Sequence, residues 1–119
     1  VARLDEERRR DDPSPFDVRV VAEHPGPVAA TGGLKVVPDH TLADCPPLDL
    51  LVVPGGWGTR RAVTNVAIVN WIRQQAGGAR LTASVCTGSF LLGAAGLLAG
   101  KRATTHWQSL DRMRDAFPG

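Results

Sequence analysis

The sequence has little that is typical of secreted or nucleic-acid-binding proteins. It has only two cysteines, Cys45 and Cys86, which are too few for a disulfide framework. A formal net charge of +2 over 119 residues predicts no strongly basic surface for nucleic acid. The N-terminal residues are charged rather than apolar, so we expect no signal peptide there. We therefore expect residues 1–119 to form a single soluble, cytoplasmic domain.

One uncharged stretch, residues 81–100, is long enough to span a membrane, but its composition favours another interpretation. The hydroxyl-bearing residues and glycines that interrupt it are Thr82, Ser84, Thr87, Gly88, Ser89, Gly93 and Gly96. Residues 81–85 have the length of a buried strand, and residues 90–98 are apolar on every side, which predicts a buried helix. The stretch is therefore predicted to be a strand, a sharp turn at Cys86 and a helix.

A cysteine at a strand-to-helix corner indicates a nucleophile elbow. Such a corner strains the backbone of Cys86 and pushes its side chain away from the sheet. The start of the following helix favours the thiolate, and Gly88 leaves room for the turn. The alternative is that Cys86 is a small buried hydrophobe, which is the usual role of a cysteine outside a disulfide. We expect Cys45, in a polar loop before two prolines, to be an ordinary loop thiol.

The other segments alternate between strand and helix patterns. Charged residues 3–12 suit the solvated end of a helix, and residues 16–22 have the pattern of a strand. Residues 28–30 and 34–37 predict a small hairpin, and residues 49–53 a further strand. The later segments predict a helix with an apolar face of Ile68, Val69, Ile72 and Ala76, a strand over residues 102–105 and a helix over residues 107–116. This order predicts an α/β fold, doubly wound and flavodoxin-like, with a mostly parallel sheet between helices. Because neither end closes such a sheet, we expect a fragment that lacks the first strand and the C-terminal elements.

A glycine pair follows the strand over residues 49–53. Gly55 and Gly56 let backbone N–H groups approach a bound molecule closely. Ligands of open α/β sheets gather at this edge, so the pair is a candidate for binding, although a plain turn would have the same composition.

Three stretches, residues 33–42, 53–60 and 83–107, together resemble the ThiJ/PfpI family, which has a class I glutamine-amidotransferase-like fold. The last of them combines the elbow with TTHW, and this combination is specific. Within the family, the sequence is most similar to the isocyanide hydratases and to the ligand-sensing domains of AraC-type transcription regulators. The resemblance implies a small-molecule substrate and a homodimer. We expect no cofactor or metal, and, from the charge and composition above, no contact with membrane or nucleic acid through this domain.

The resemblance also implies roles for individual residues. Cys86 matches the family's nucleophile, and Gly56 with the backbone N–H of Thr87 matches the oxyanion-hole position, beside Gly55. Thr87 stands where protease-like members carry histidine, which argues against a peptidase. His106 is a candidate to approach the thiol, although a structural role is an equal alternative. The family's acidic partner of the thiol comes from a loop that this sequence does not include.

The leading hypothesis is therefore a lyase that hydrates isocyanides. The Cys86 thiolate attacks the terminal carbon of the isocyanide, and water then releases an N-substituted formamide. One alternative is a sensor domain that binds a metabolite without turnover. A further alternative is a glyoxalase or deglycase-type activity on the same elbow.

Overall fold

The computed structural model of the chain describes residues 15–119. The helix predicted over residues 3–12 lies outside the described residues. The chain divides into two compact units, one ending at Cys45 and the other beginning at Pro46. That residues 1–119 form a single domain stays a prediction.

The first unit contains two small pairs of strands. β1 (Val21–Ala22) pairs in parallel with β4 (His40–Thr41), and β2 (Val28–Ala29) pairs antiparallel with β3 (Lys35–Val36). The antiparallel pair confirms the predicted hairpin.

The strand predicted over residues 16–22 is shorter than expected. The parallel ladder begins at Val21, because the side chain of Asp39 accepts the N–H of Val20 at 2.8 Å. At this position only the N–H donates to a side chain, while the Val20 carbonyl accepts the backbone N–H groups of Asp39 and His40.

The second unit is built on a parallel pair of strands. β5 (Leu50–Val53) lies beside β6 (Leu81–Ser84), in a register that pairs Leu50 with Leu81 and Val53 with Ser84. The parallel pairing confirms the predicted strands, but the expected burial of the second one is wrong: no residue of β6 is buried, and Leu81 is 62% exposed. Because parallel neighbours need a crossover, the chain between them passes through helices.

Two helices lie between β5 and β6. The short α1 (Thr59–Ala62) is followed by α2 (Val66–Gly78). The side chain of Asn65 caps α2 by accepting the backbone N–H groups of Ala67 at 3.1 Å and Ile68 at 3.3 Å. The helix ends at a second pair of glycines, Gly77 and Gly78.

The core of this unit lies between β5 and the helices. Its buried members are Leu51, Val53, Val69, Ile72, Leu91, Leu92 and Ala95. The first two come from β5 and the next two from α2, as the apolar face of that helix predicted. The others belong to α3 (Ser89–Ala94) and its C-cap, which places the helix after Cys86 in the core, also as predicted.

α3 ends earlier than the apolar run over residues 90–98 suggested. Gly96 has a φ of +76°, and its N–H donates to the carbonyl of Gly93 at 2.9 Å. The N–H of Leu97 donates to the carbonyl of Leu92 at 3.0 Å, which completes a Schellman motif. The glycine therefore terminates the helix within a run that stays apolar.

The uncharged stretch over residues 81–100 thus contains β6, the 3₁₀ turn Cys86–Gly88 and the six-residue α3. Within residues 15–119, no helix combines the length and the apolar character needed to cross a membrane.

The predicted strand over residues 102–105 is wrong. These residues form no strand and pair with no strand in the described part of the chain. Thr105 instead uses its side chain, donating to the carbonyl of Cys86 at 3.1 Å. The helix predicted over residues 107–116 is present as a 3₁₀ turn, Trp107–Ser109, followed by α4 (Leu110–Ala116).

Candidate functional site

Cys86 lies at a strained corner between β6 and α3. Its φ is +53°, and among residues 15–119 it is the one non-glycine residue with a positive φ. Val85 before it is extended, and Ser89, three residues later, is already helical. Left-handed backbone costs about 1–3 kcal/mol for such a residue and persists only where the surroundings enforce it. The Cys86 residue is exposed, so the predicted elbow geometry is present.

Hydrogen bonds fix the backbone of this elbow, which we define as Cys86–Gly88. The N–H of Val85 donates to the carbonyl of Val53 at 3.0 Å, which extends the contact with β5 up to the corner. Two hydroxyls then donate to the carbonyl of Cys86, those of Thr105 at 3.1 Å and Ser89 at 3.2 Å. The corner is therefore held from β5, from α3 and from the segment that precedes α4.

Two glycines allow the loop after β5 to touch the elbow. A Cβ at Gly55 would lie 2.8 Å from the Cβ of Cys86 and 2.9 Å from the backbone nitrogen of Thr87. A Cβ at Gly88 would collide with the carbonyl oxygens of Val53 and Pro54. Real Cβ atoms do not approach so closely, so both positions require glycine. The structure therefore gives Gly55 a steric role beside the thiol, in addition to the binding role predicted for it.

The predicted oxyanion-hole residues are joined by a hydroxyl cluster. The N–H of Gly56 donates to Oγ1 of Thr87 at 3.1 Å, and Gly56 has a φ of +114°. Thr59 is only 6% exposed; its hydroxyl donates to the carbonyl of Gly56 at 2.8 Å and lies 3.2 Å from Oγ1 of Thr87. Gly56 and Thr87 are thus brought together as expected. The Gly56 N–H, however, is hydrogen-bonded to the side chain of Thr87, whereas the prediction involved the Thr87 backbone N–H.

The sequence analysis did not predict Thr59 as a residue of this site. A hydroxyl-bearing residue three positions after Gly56 is a recognisable sign of a side chain that closes a turn. Its contact with Thr87, 28 positions later, depends on the packing of two strand ends and has no local signal.

His106 has a structural contact. Its Nδ1 accepts the backbone N–H of Gln108 at 3.2 Å and so caps the 3₁₀ turn before α4. Its ring stacks on Trp107 with 5.7 Å between centroids. Among the described residues no hydrogen bond joins His106 to Cys86, and Thr105 is the member of the TTHW segment that reaches the elbow.

A cavity of about 250 Å³ opens beside the elbow. The residues that line it include Cys86, Ser89, Leu92, Leu98, Arg102 and Thr105. Its volume is close to the lower end of the range for small-molecule sites. The cavity combines polar side chains that hold the corner with the apolar side chains of Leu92 and Leu98.

The other cysteine has a different environment. Burial raises the pKa of the Cys45 thiol, and the negative charge of Asp44 raises it further. Both effects disfavour the thiolate. Cys45 is therefore poorly suited to act as a nucleophile at neutral pH.

These features define a class: an α/β protein with parallel strands and an exposed cysteine in left-handed conformation at a strand-to-helix corner. A profile of the DJ-1/PfpI family matches residues 7–117, and the chain belongs to this family. A ThiJ/PfpI family protein from Pseudomonas syringae superposes with a TM-score of 0.79 at 37% identity, over 84% of this chain and 42% of that chain. The family resemblance and the flavodoxin-like α/β fold class are confirmed.

Curated relatives include an enzyme and a transcriptional regulator. Isonitrile hydratase from Pseudomonas putida is 53% identical over 87 residues, which cover 73% of this chain and 38% of that protein. The HTH-type transcriptional regulator GbdR from Pseudomonas aeruginosa is 41% identical over 91 residues, which cover 76% of this chain and 24% of the regulator. The chain therefore spans less than two fifths of the length of either relative.

Proposed function

We propose that the protein containing this chain hydrates isocyanides to N-substituted formamides with Cys86 as the nucleophile. The observation that carries the proposal is the exposed Cys86 at a φ of +53°, in a chain 53% identical to an isonitrile hydratase over 87 residues. A strained elbow presents a nucleophile away from the backbone around it, and conformational strain of this kind is concentrated at functional sites.

The reaction proceeds through a covalent intermediate. The Cys86 sulfur bonds to the terminal carbon of the isocyanide, which also gains a proton, and a thioimidate forms. Water then adds to that carbon, and the carbon–sulfur bond breaks. The products are an N-substituted formamide and the regenerated thiol, so one water is consumed for each isocyanide.

The described residues supply orientation and hydrogen bonds for these steps. Ser89 and Thr105 donate to the carbonyl of Cys86 and so hold the backbone from which its side chain projects. We assign the Thr87 hydroxyl, on the residue that follows Cys86, the role of a donor to charge that develops on the substrate; its oxygen accepts the N–H of Gly56. His106 has a supporting role at most, through its cap on the turn before α4.

An assay of the complete gene product tests the proposal. Loss of isocyanide absorbance and appearance of the formamide are followed together with an aryl and an alkyl isocyanide. We expect formamide from the wild type and from Cys45→Ser, and none from Cys86→Ser. Equal formamide production by Cys86→Ser would contradict the mechanism.

The second candidate is a sensor domain that binds a metabolite without turnover. Its support is the 41% identity to GbdR and the 38% identity over 99 residues to another Pseudomonas aeruginosa regulator, CdhR. Absence of formamide together with saturable metabolite binding that survives Cys86→Ser would favour this candidate over the hydratase.

A further inference from the structure

We propose that Thr59 is a positioning residue that acts through Thr87, fixing the direction in which the Thr87 hydroxyl donates beside Cys86. The inference deepens the proposed hydratase function and rests on it for the identity of the substrate. Thr59 lies in α1, outside the elbow, and its hydroxyl is the buried member of the cluster that joins the glycine pair to the elbow.

Three short contacts define the cluster. The N–H of Gly56 donates to Oγ1 of Thr87 at 3.1 Å. The Thr59 hydroxyl lies 2.8 Å from the carbonyl oxygen of Gly56 and 3.2 Å from Oγ1 of Thr87. The Thr87 hydroxyl has a longer contact with the same carbonyl, at 3.4 Å. Each hydroxyl carries one proton, so not all of these contacts are hydrogen bonds at the same time.

Two proton arrangements satisfy the cluster. In the first, Thr59 donates to the carbonyl of Gly56 and Thr87 donates to Thr59. In the second, Thr59 donates to Thr87, whose oxygen then accepts from both Thr59 and Gly56. In the second arrangement the Thr87 hydroxyl can donate its hydrogen bond outside the cluster, because its remaining acceptor within the cluster is the Gly56 carbonyl, at the longer distance of 3.4 Å. A group bound at Cys86 that gains negative charge selects this arrangement.

Thr64 provides an internal comparison. Its hydroxyl donates to the carbonyl of Arg61, three residues earlier, at 2.9 Å, as that of Thr59 does to Gly56. Thr64 is exposed and has no contact with the elbow in the described part of the chain. A hydroxyl that only closes a turn would behave alike at both positions, whereas one that directs Thr87 matters only at Thr59.

The test compares two reactions of the Cys86 thiol in the complete gene product. Acylation by p-nitrophenyl acetate forms a carbon–sulfur bond, expels p-nitrophenolate and passes through an oxyanion. Alkylation by iodoacetamide forms a carbon–sulfur bond and expels iodide without an oxyanion. Donors near the thiol therefore accelerate the first reaction specifically, and the ratio of the two rates measures their alignment.

Thr59→Val keeps the shape of the side chain and removes the hydroxyl. We expect it to lower the acylation rate about tenfold, less than the loss of a direct oxyanion donor, and to leave the alkylation rate within about twofold. Thr59→Ser should restore the acylation rate, and Thr64→Val should match the wild type in both reactions. With an isocyanide, Thr59→Val should lower kcat and leave KM unchanged.

A proportional fall of both rates in Thr59→Val, or no rescue by Thr59→Ser, would overturn the proposal and leave a purely structural role. If Thr59→Val does not fold, as judged by circular dichroism, Thr59→Ala removes the same hydroxyl without a new methyl contact and must give the same selective loss. Lack of formamide from the wild type would defeat the hydratase proposal alone, since the ratio of acylation to alkylation does not involve an isocyanide.

Discussion

The two cysteines of this chain show how differently the same side chain can be placed. Cys86 is exposed at a φ of +53°, and two hydroxyls donate to its carbonyl. Cys45 is half-buried in a turn, where its N–H donates to the carbonyl of Thr41, and burial and the charge of Asp44 raise the pKa of its thiol. The backbone and the neighbouring groups, more than the thiol itself, determine which cysteine is a candidate nucleophile.

The largest expected effect that separates the two cysteines is on turnover. Cys86→Ser should lower kcat for isocyanide hydration on the order of 10⁴-fold or more, the scale on which loss of a catalytic nucleophile acts. Serine keeps the shape of the side chain, but its hydroxyl ionises far less readily. Cys45→Ser should keep the wild-type rate of formamide production. A similar loss in both variants would remove the distinction between the two sites.

The second effect concerns the stability of the corner. Gly88→Ala should lower the free energy of unfolding by about 3 kcal/mol, because the new Cβ would overlap the carbonyl oxygens of Val53 and Pro54. Gly58→Ala is the matched control: nothing lies within 4 Å of its added Cβ, and its φ is −60°. The control should be neutral or stabilising by about 0.5 kcal/mol. Urea denaturation measures both.

Destabilising the corner should also change the reactivity of the Cys86 thiol without changing that of Cys45. If the Gly88→Ala protein folds, the alkylation rate of Cys86 should differ from that of the wild type, while the rate of Cys45 stays the same. Equal unfolding free energies for the two alanine variants would mean that β5 and the elbow are not in close backbone contact.

The third effect is on thiol reactivity. Iodoacetamide at neutral pH should modify Cys86 about tenfold faster than Cys45, because alkylation follows the thiolate fraction and the accessibility of the sulfur. The raised pKa of Cys45 shifts its alkylation profile to higher pH than that of an ordinary thiol. Peptide mapping by mass spectrometry gives both rates in one sample. Equal rates would remove the main argument for catalysis by Cys86.

The smallest effect concerns the charge beside Cys45. Asp44→Asn removes a negative charge that raises the pKa of Cys45, so the thiolate fraction at neutral pH should increase. Asparagine keeps an oxygen that can accept the N–H of Thr41, now at 2.7 Å. We expect alkylation of Cys45 to become about twofold faster, a small change because solvent screens an exposed charge. The alkylation rate of Cys86 should not change. Slower alkylation of Cys45 in this variant would contradict the expected effect of the Asp44 charge.

Much of this architecture follows from local sequence signals. The segments Leu50–Val53 and Leu81–Ser84 are too short for helices, and they form the predicted parallel pair. The burial expected for the second segment is not found, since Leu81 is exposed. Asn65 provides a local cap for α2. The elbow was also predictable, since an apolar strand, a cysteine and an apolar helix follow one another without a gap.

The failures have a common cause in contacts that join distant parts of the chain. Residues 102–105 have a strand-like composition, but Thr105 contributes a side-chain hydrogen bond to the elbow and the segment joins no ladder. The cluster of Thr59 with Thr87 likewise depends on two strand ends meeting. In the TTHW motif, His106 was the predicted candidate to approach the thiol, whereas Thr105, the residue before it, makes the contact with the elbow.

The most direct test of the central claim, that the exposed elbow thiol is the catalytic group, is a titration of activity by iodoacetamide. The complete gene product is alkylated to increasing extents, and each sample is assayed for formamide production and mapped for modification at both cysteines. Residual activity should fall linearly with unmodified Cys86 and reach zero when one carboxamidomethyl group is present there per chain, whatever the state of Cys45. Activity that persists after complete modification of Cys86, or that follows Cys45 instead, would contradict the account.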